Sequence, residues 1–149
     1  MLAARWSERR CHARWGRLVR PDGYGRWREH DTEVDFFLEY DQGTEPLDRV
    51  AAKLAGYHKL AVATKIATPV VFWLPTSGWE ASVRAALAAA ARWETGVRFV
   101  VATATAALGR GAADQAWLPL GQDGPRRRLV DLAAVGRNLG AGPPSPPRS

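Results

Sequence analysis

Cysteine is nearly absent from this chain, with Cys11 the only one among 149 residues. A lone thiol excludes an internal disulfide and a zinc site built on cysteines, so a reducing compartment is the expected setting. Long apolar runs are missing too, and nothing approaches the roughly 20 residues of a membrane-spanning helix. The start, Met1-Leu2-Ala3-Ala4, meets Arg5 at once and offers no apolar core for a signal peptide. A cytoplasmic protein without a membrane association is therefore expected. The three histidines, His12, His30 and His58, stand at no metal-ligand spacing. Gly23 and Gly25 form a GYG group without a GxGxxG or P-loop around it, which leaves nucleotide binding little support. Ser77 and Ser82 sit in no nucleophile motif, and no internal repeat is visible.

What the chain has in excess is positive charge. Lys and Arg number 21 against 15 Asp and Glu, a net charge of +6. Such a balance favours a polyanionic partner and speaks to association, not to fold. Arg5, Arg9, Arg10, Arg14, Arg17 and Arg20 cluster near the start, and Arg126, Arg127 and Arg128 near the end. Trp6, Trp15, Tyr24 and Trp27 interleave with the first cluster, a pattern suited to DNA contact.

The length suits one domain with a sizeable core. Trp6, Arg10 and Ala13 at helical spacing predict a short helix within the first sixteen residues. Pro21-Asp22-Gly23 is a turn-forming group between short strands at Arg17–Arg20 and Tyr24–Glu29. Val34 to Asp41 is a nearly continuous apolar and aromatic run, as in a strand buried on both faces. Thr44 is the expected N-cap of the next helix, with Pro46 inside its first turn. Leu47, Val50, Ala51, Leu54, Tyr57, His58 and Ala61 then recur at helical intervals. Thr68–Leu74 predicts a second buried strand, Trp79–Trp93 a helix with Ala85–Ala91 on its buried face, and Val97–Thr103 a third strand. Trp117–Leu120 adds a short edge segment, and residues 140–149 (GAGPPSPPRS) a disordered Pro-rich tail. The fold class is α/β, with a mixed central sheet flanked by helices.

Chemistry concentrates between Arg20 and Thr44. Side chains of a strand alternate, so Glu39 and Asp41 share a face with Phe37, about 7 Å apart along the chain, while Leu38 and Tyr40 face the other way. Asp22 makes a third carboxylate available to a hard divalent cation. Acids directly after a buried strand mark the mouth of a sheet, where ligands gather in α/β folds. The plain alternative is that Asp22 is an ordinary turn residue, and that Glu39 and Asp41 mark a solvated strand end. By the same standard Lys53 is a snorkelling helix lysine.

Pro21-Asp22 followed by Glu39 in a central strand resembles the PD-(D/E)xK superfamily of restriction-endonuclease-like folds, whose core runs αβββαβ. More closely, RPDGYGRW, FFLEYDQGTE, KLAGY and PVVFWLP resemble the replication-relaxation family of actinobacterial and plasmid-associated proteins, over roughly Trp15 to Leu120. The winged-helix segment that commonly precedes this region in the family is not found here, so residues 1–139 resemble its C-terminal part.

The resemblance implies a DNA-associated protein that acts with replication or mobilisation proteins. It makes Asp22 and Glu39 ligands of Mg²⁺, to which the shared strand face adds Asp41, and phosphodiester hydrolysis the reaction. Asp41 stands where the superfamily keeps its lysine. Some members borrow a lysine from the following helix, which makes Lys53 the third catalytic residue beside Asp22 and Glu39. Counted from Thr44, Lys53 lies about 13 Å up that helix, a reach that requires the helix to pack back across the sheet. Arg20 would pair with phosphate, and Gln42 and Thr44 would add neutral hydrogen bonds to DNA. A catalytically silent DNA-binding or scaffold module is the alternative the missing motif lysine leaves open.

Overall fold

The computed structural model describes residues 2–7, 9–10, 19, 21–92, 98–122 and 124–139. In chain order these form strands β1 (Leu2–Ser7), β2 (Gly23–Glu29) and β3 (Thr32–Tyr40), helix α1 (Leu47–Thr64), strand β4 (Val70–Leu74) and helix α2 (Ser77–Ala91). Strand β5 (Val101–Thr105), a 3₁₀ turn (Ala106–Leu108), strand β6 (Leu118–Pro119), a second 3₁₀ turn (Leu129–Asp131) and helix α3 (Leu132–Leu139) follow.

The six strands make one sheet in the order β1-β2-β3-β4-β5-β6. β1, β2 and β3 are antiparallel neighbours, β3, β4 and β5 run parallel, and β6 returns antiparallel to β5. A tight turn at His30-Asp31 closes the β2–β3 hairpin, whereas each parallel step needs a crossover helix, α1 and then α2. This is the α/β class with a mixed sheet that the sequence predicts.

Alternation along β3 sorts two cores. Phe37 joins Val50, Leu54, Tyr57 and Leu60 of α1, Val70, Phe72 and Leu74 of β4, and Val83 and Leu87 of α2 on one face. Val34, Phe36, Val71, Ala102, Ala104, Trp117, Leu132 and Val135 form the other, beneath the second 3₁₀ turn and α3. β3, β4 and β5 therefore end at a common edge, and the loops after β3 and β4 open there. Because β2 is antiparallel to β3, its beginning meets the same edge.

Several expectations need correction. Leu2–Ser7 is a strand, because hydrogen bonding to β2 outweighs the weak helical spacing of so short a segment; Arg9 and Arg10 beyond it are helical, and the rest of the expected short helix lies outside the described residues. The elements described in full run βββαβαββα, with helical residues at Arg9 and Arg10 between β1 and β2. Pro46, not Thr44, is the N-cap of α1, and no side chain caps it. Ala85, Ala88, Ala89 and Ala91 are exposed, so that stretch is helical through alanine's propensity and buries only Leu87 completely. The third parallel strand begins at Val101, later than expected, and α3 has no counterpart in the sequence reading. The expected strand at Arg17–Arg20, apart from Val19, and the tail at residues 140–149 lie outside the described residues.

Candidate functional site

The hairpin register builds the site. Gly23 pairs with Leu38, so one step along the two strands sets Asp22 beside Glu39. The backbone amide of Tyr40 donates to Asp22 Oδ2 at 2.8 Å, which holds the Pro-Asp turn against the end of β3. Glu39 points to the helical face, where its side chain is 1% exposed.

α1 packs back across that face, as the lysine hypothesis requires. Starting at Leu47, the helix reaches Lys53 after about 9 Å of rise. Lys53 Nζ donates to Glu39 Oε2 at 3.1 Å and to Glu45 Oε2 at 3.0 Å. One turn further, the Tyr57 hydroxyl donates a short hydrogen bond to Glu39 Oε1. Residues four apart share a helix face, which is why Lys53 and Tyr57 reach the same carboxylate. Lys53 remains about a quarter exposed, so the cluster meets solvent through its ammonium and Glu45.

Electrostatics set the protonation of the cluster. Burial pushes the Glu39 carboxyl up to about 7, and the Asp22 charge adds to the rise. The Lys53 charge and the Tyr57 hydrogen bond pull it down without cancelling burial. Burial also works against the Lys53 ammonium, yet the Glu39 and Glu45 carboxylates outweigh it and hold its pKa above the ordinary value. Near neutral pH this is a carboxyl poised between two protonation states, beside a fixed positive charge.

Asp41 has a different task. Its Oδ1 accepts from the Gly43 amide at 2.8 Å and its Oδ2 from Trp79 Nε1 at 2.7 Å, so it ties the β3–α1 loop to α2. Among the described residues, no three His, Cys, Asp or Glu side chains are grouped to hold a metal ion. Asp22, Glu39 and Asp41 are therefore not gathered into one nest. Asp22 and Glu39 are neighbours at the strand ends, with Asp22 accepting from the Tyr40 amide and both Glu39 oxygens held by Lys53 and Tyr57. Gln42 and Thr44 are exposed on the loop after β3, and Arg20 lies outside the described residues.

Sequence reading missed Tyr57 and Glu45. Tyr57 stands four residues after Lys53 within KLAGY, a spacing that would have placed both on one helix face. Glu45 carried no comparable signal.

A second polar cluster lies under α2. Arg126 donates to both oxygens of Glu80, at 2.5 Å and 2.8 Å, and Thr103 Oγ1 donates to Glu80 Oε2 at 2.8 Å. Arg84 donates to Thr103 Oγ1 and to the carbonyls of Leu118 and Pro119. Every oxygen of Glu80 is partnered, and the cluster pins α2 to β5, β6 and the segment before α3. It also shows that Arg126, one of the basic C-terminal cluster, is an internal ion-pair residue.

No helix among the described residues is long and apolar enough to cross a membrane. Residues 1–72, just under half of the chain and including Asp22, Glu39 and Lys53, match the model of the replication-relaxation family. No curated protein and no solved structure matches the chain.

Proposed function

From the match of residues 1–72 to the replication-relaxation family, we propose that this protein acts on DNA during plasmid replication, through a phosphodiester-cleaving site of PD-(D/E)xK type. Asp22, Glu39 and Lys53 are its catalytic residues. The observation that carries this reading is the Lys53 ammonium 3.1 Å from Glu39. A lysine from α1 supplies the charge that Asp41 cannot, in the place where the superfamily resemblance expects one.

In this reading Asp22 and Glu39 would hold Mg²⁺. When bound, it would polarise a phosphoryl oxygen and lower the pKa of a bound water. Lys53 offsets charge on the scissile phosphate and orients the attacking water. Water adds to phosphorus, the bond to one sugar oxygen breaks, and that oxygen leaves with a proton. Tyr57 fixes the Glu39 carboxylate, and Asp41 fixes the loop that carries Gln42 and Thr44 towards the DNA backbone.

The test is nicking of supercoiled plasmid with Mg²⁺ or Mn²⁺. Asp22→Ala, Glu39→Gln and Lys53→Met should each lower the rate about a hundredfold or more, the usual scale for removing a charge that stabilises the transition state. Undiminished cleavage in Lys53→Met would overturn the assignment. A second reading is favoured by the closure of Glu39, with both oxygens held by protein partners. In that reading the fold is a DNA-binding module without turnover. Its signature is plasmid binding by the wild type and all three variants, with no nicking in either metal.

A further inference from the structure

The sheet face opposite α1 and α2 carries a groove of about 640 Å³ that shares only Asp22 with the proposed cleavage site. Gly23 and Gly25 of β2 share that face, and the Phe36 ring lies over Gly25. Beside Gly25 in the register lies Arg5 of β1, whose side chain is exposed and lines the groove. Along the other flank run Tyr40, 56% exposed at the end of β3, and the half-buried Trp73 of β4. Arg110 closes the far side, with one guanidinium nitrogen donating to the Gln115 carbonyl at 2.7 Å. Asp22 lines one end, at the strand edge.

We propose that this groove binds single-stranded nucleic acid, with unpaired bases stacked on Tyr40 and Trp73 and the phosphates held by Arg5 and Arg110. The inference rests on the DNA-directed reading above and specifies the form of the substrate. An exposed tyrosine beside a half-buried tryptophan, between cationic side chains, suits a single strand, since each base offers a ring face whatever its identity. A duplex keeps those faces stacked inside and gives Tyr40 nothing to cover. Without a cation Asp22 opposes a phosphate at its end of the groove, so the backbone lies towards the two arginines.

Fluorescence anisotropy with labelled oligothymidine, in EDTA so that no cleavage intervenes, tests the proposal against a duplex of equal length. The wild type should prefer the single strand. Tyr40→Ala should weaken binding about tenfold. Arg5→Ala and Arg110→Ala should each weaken it and reduce the slope of log affinity against log salt by about 0.7. Circular dichroism should show Tyr40→Ala and Arg110→Ala folded, since both side chains lie on the surface. If the protein prefers duplex and the variants bind it as well as the wild type, the groove is wrong while the DNA-directed reading stands. If neither probe binds at low salt, both fall together.

Discussion

At the scale of single residues, two buried glutamates behave in opposite ways because their partners differ. Glu39 has one ammonium and one hydroxyl against nearly complete burial, and its pKa rises to about 7 from an ordinary value of 4.5. Burial pushes Glu80 up as well, but Arg126, Thr103 and Arg84 outweigh it and hold it below the ordinary value. The linkage follows directly. A raised folded-state pKa gives stability that is complete below about 4.5 and is lost as pH climbs through about 7. A lowered one gives stability that is complete above the ordinary value and is lost as pH falls through the depressed pKa. Glu39→Gln keeps a neutral hydrogen-bonding side chain and removes the first titration. Its stability should therefore fall less than the wild type's between about pH 5 and about pH 8. Urea unfolding midpoints at the two pH values check this, and parallel losses in both proteins would refute it.

At the scale of elements, β2 has little freedom to change at Gly25. A methyl group added at Gly25 would lie 2.5 Å from Phe36 Cζ and 3.0 Å from its neighbouring ring carbon. The Phe36 ring, itself buried in the second core, would have to shift. Gly25→Ala should cost about 1–3 kcal/mol, the range for overpacking a filled site. Chemical denaturation measures it, and an unchanged midpoint would show that the ring moves freely.

The same strand shows what the sequence could disclose. β3 and α1 were legible because a two-residue alternation and a helical repeat each persist over many positions. β1 was not, since six residues of mixed Ala, Arg and Trp fit either period until β2 supplies their hydrogen bonds. α3 escaped because Leu132, Val135 and Leu139 make one short stripe, interrupted by Gly136 and preceded by three arginines. For the site, Asp22, Glu39 and Lys53 could be named from spacing and resemblance. The task of Asp41 could not, because it depends on Trp79, 38 residues away, reaching its carboxylate.

At the scale of the whole molecule, the excess positive charge divides into charges paired inside the fold and charges on its surface. Arg126 belongs to the first kind: it sits against Glu80 at 2.5 Å, with both side chains mostly buried. Arg5 and Arg110 belong to the second, on the rim of the groove. Removing a charge of the first kind strands its partner in a poorly solvated place, a loss of about 3–5 kcal/mol. Arg126→Met should therefore lower the unfolding midpoint strongly, and more at pH 7 than near pH 4, where protonation relieves the stranded Glu80. The variant should meanwhile keep the wild-type salt dependence of oligonucleotide binding at a temperature where it stays folded, because its charge was already cancelled inside the protein. Thermal unfolding at the two pH values and a salt titration separate these effects. A stable variant with a shallower salt slope would instead place Arg126 among the residues that meet the nucleic acid, and would move the binding face towards β6.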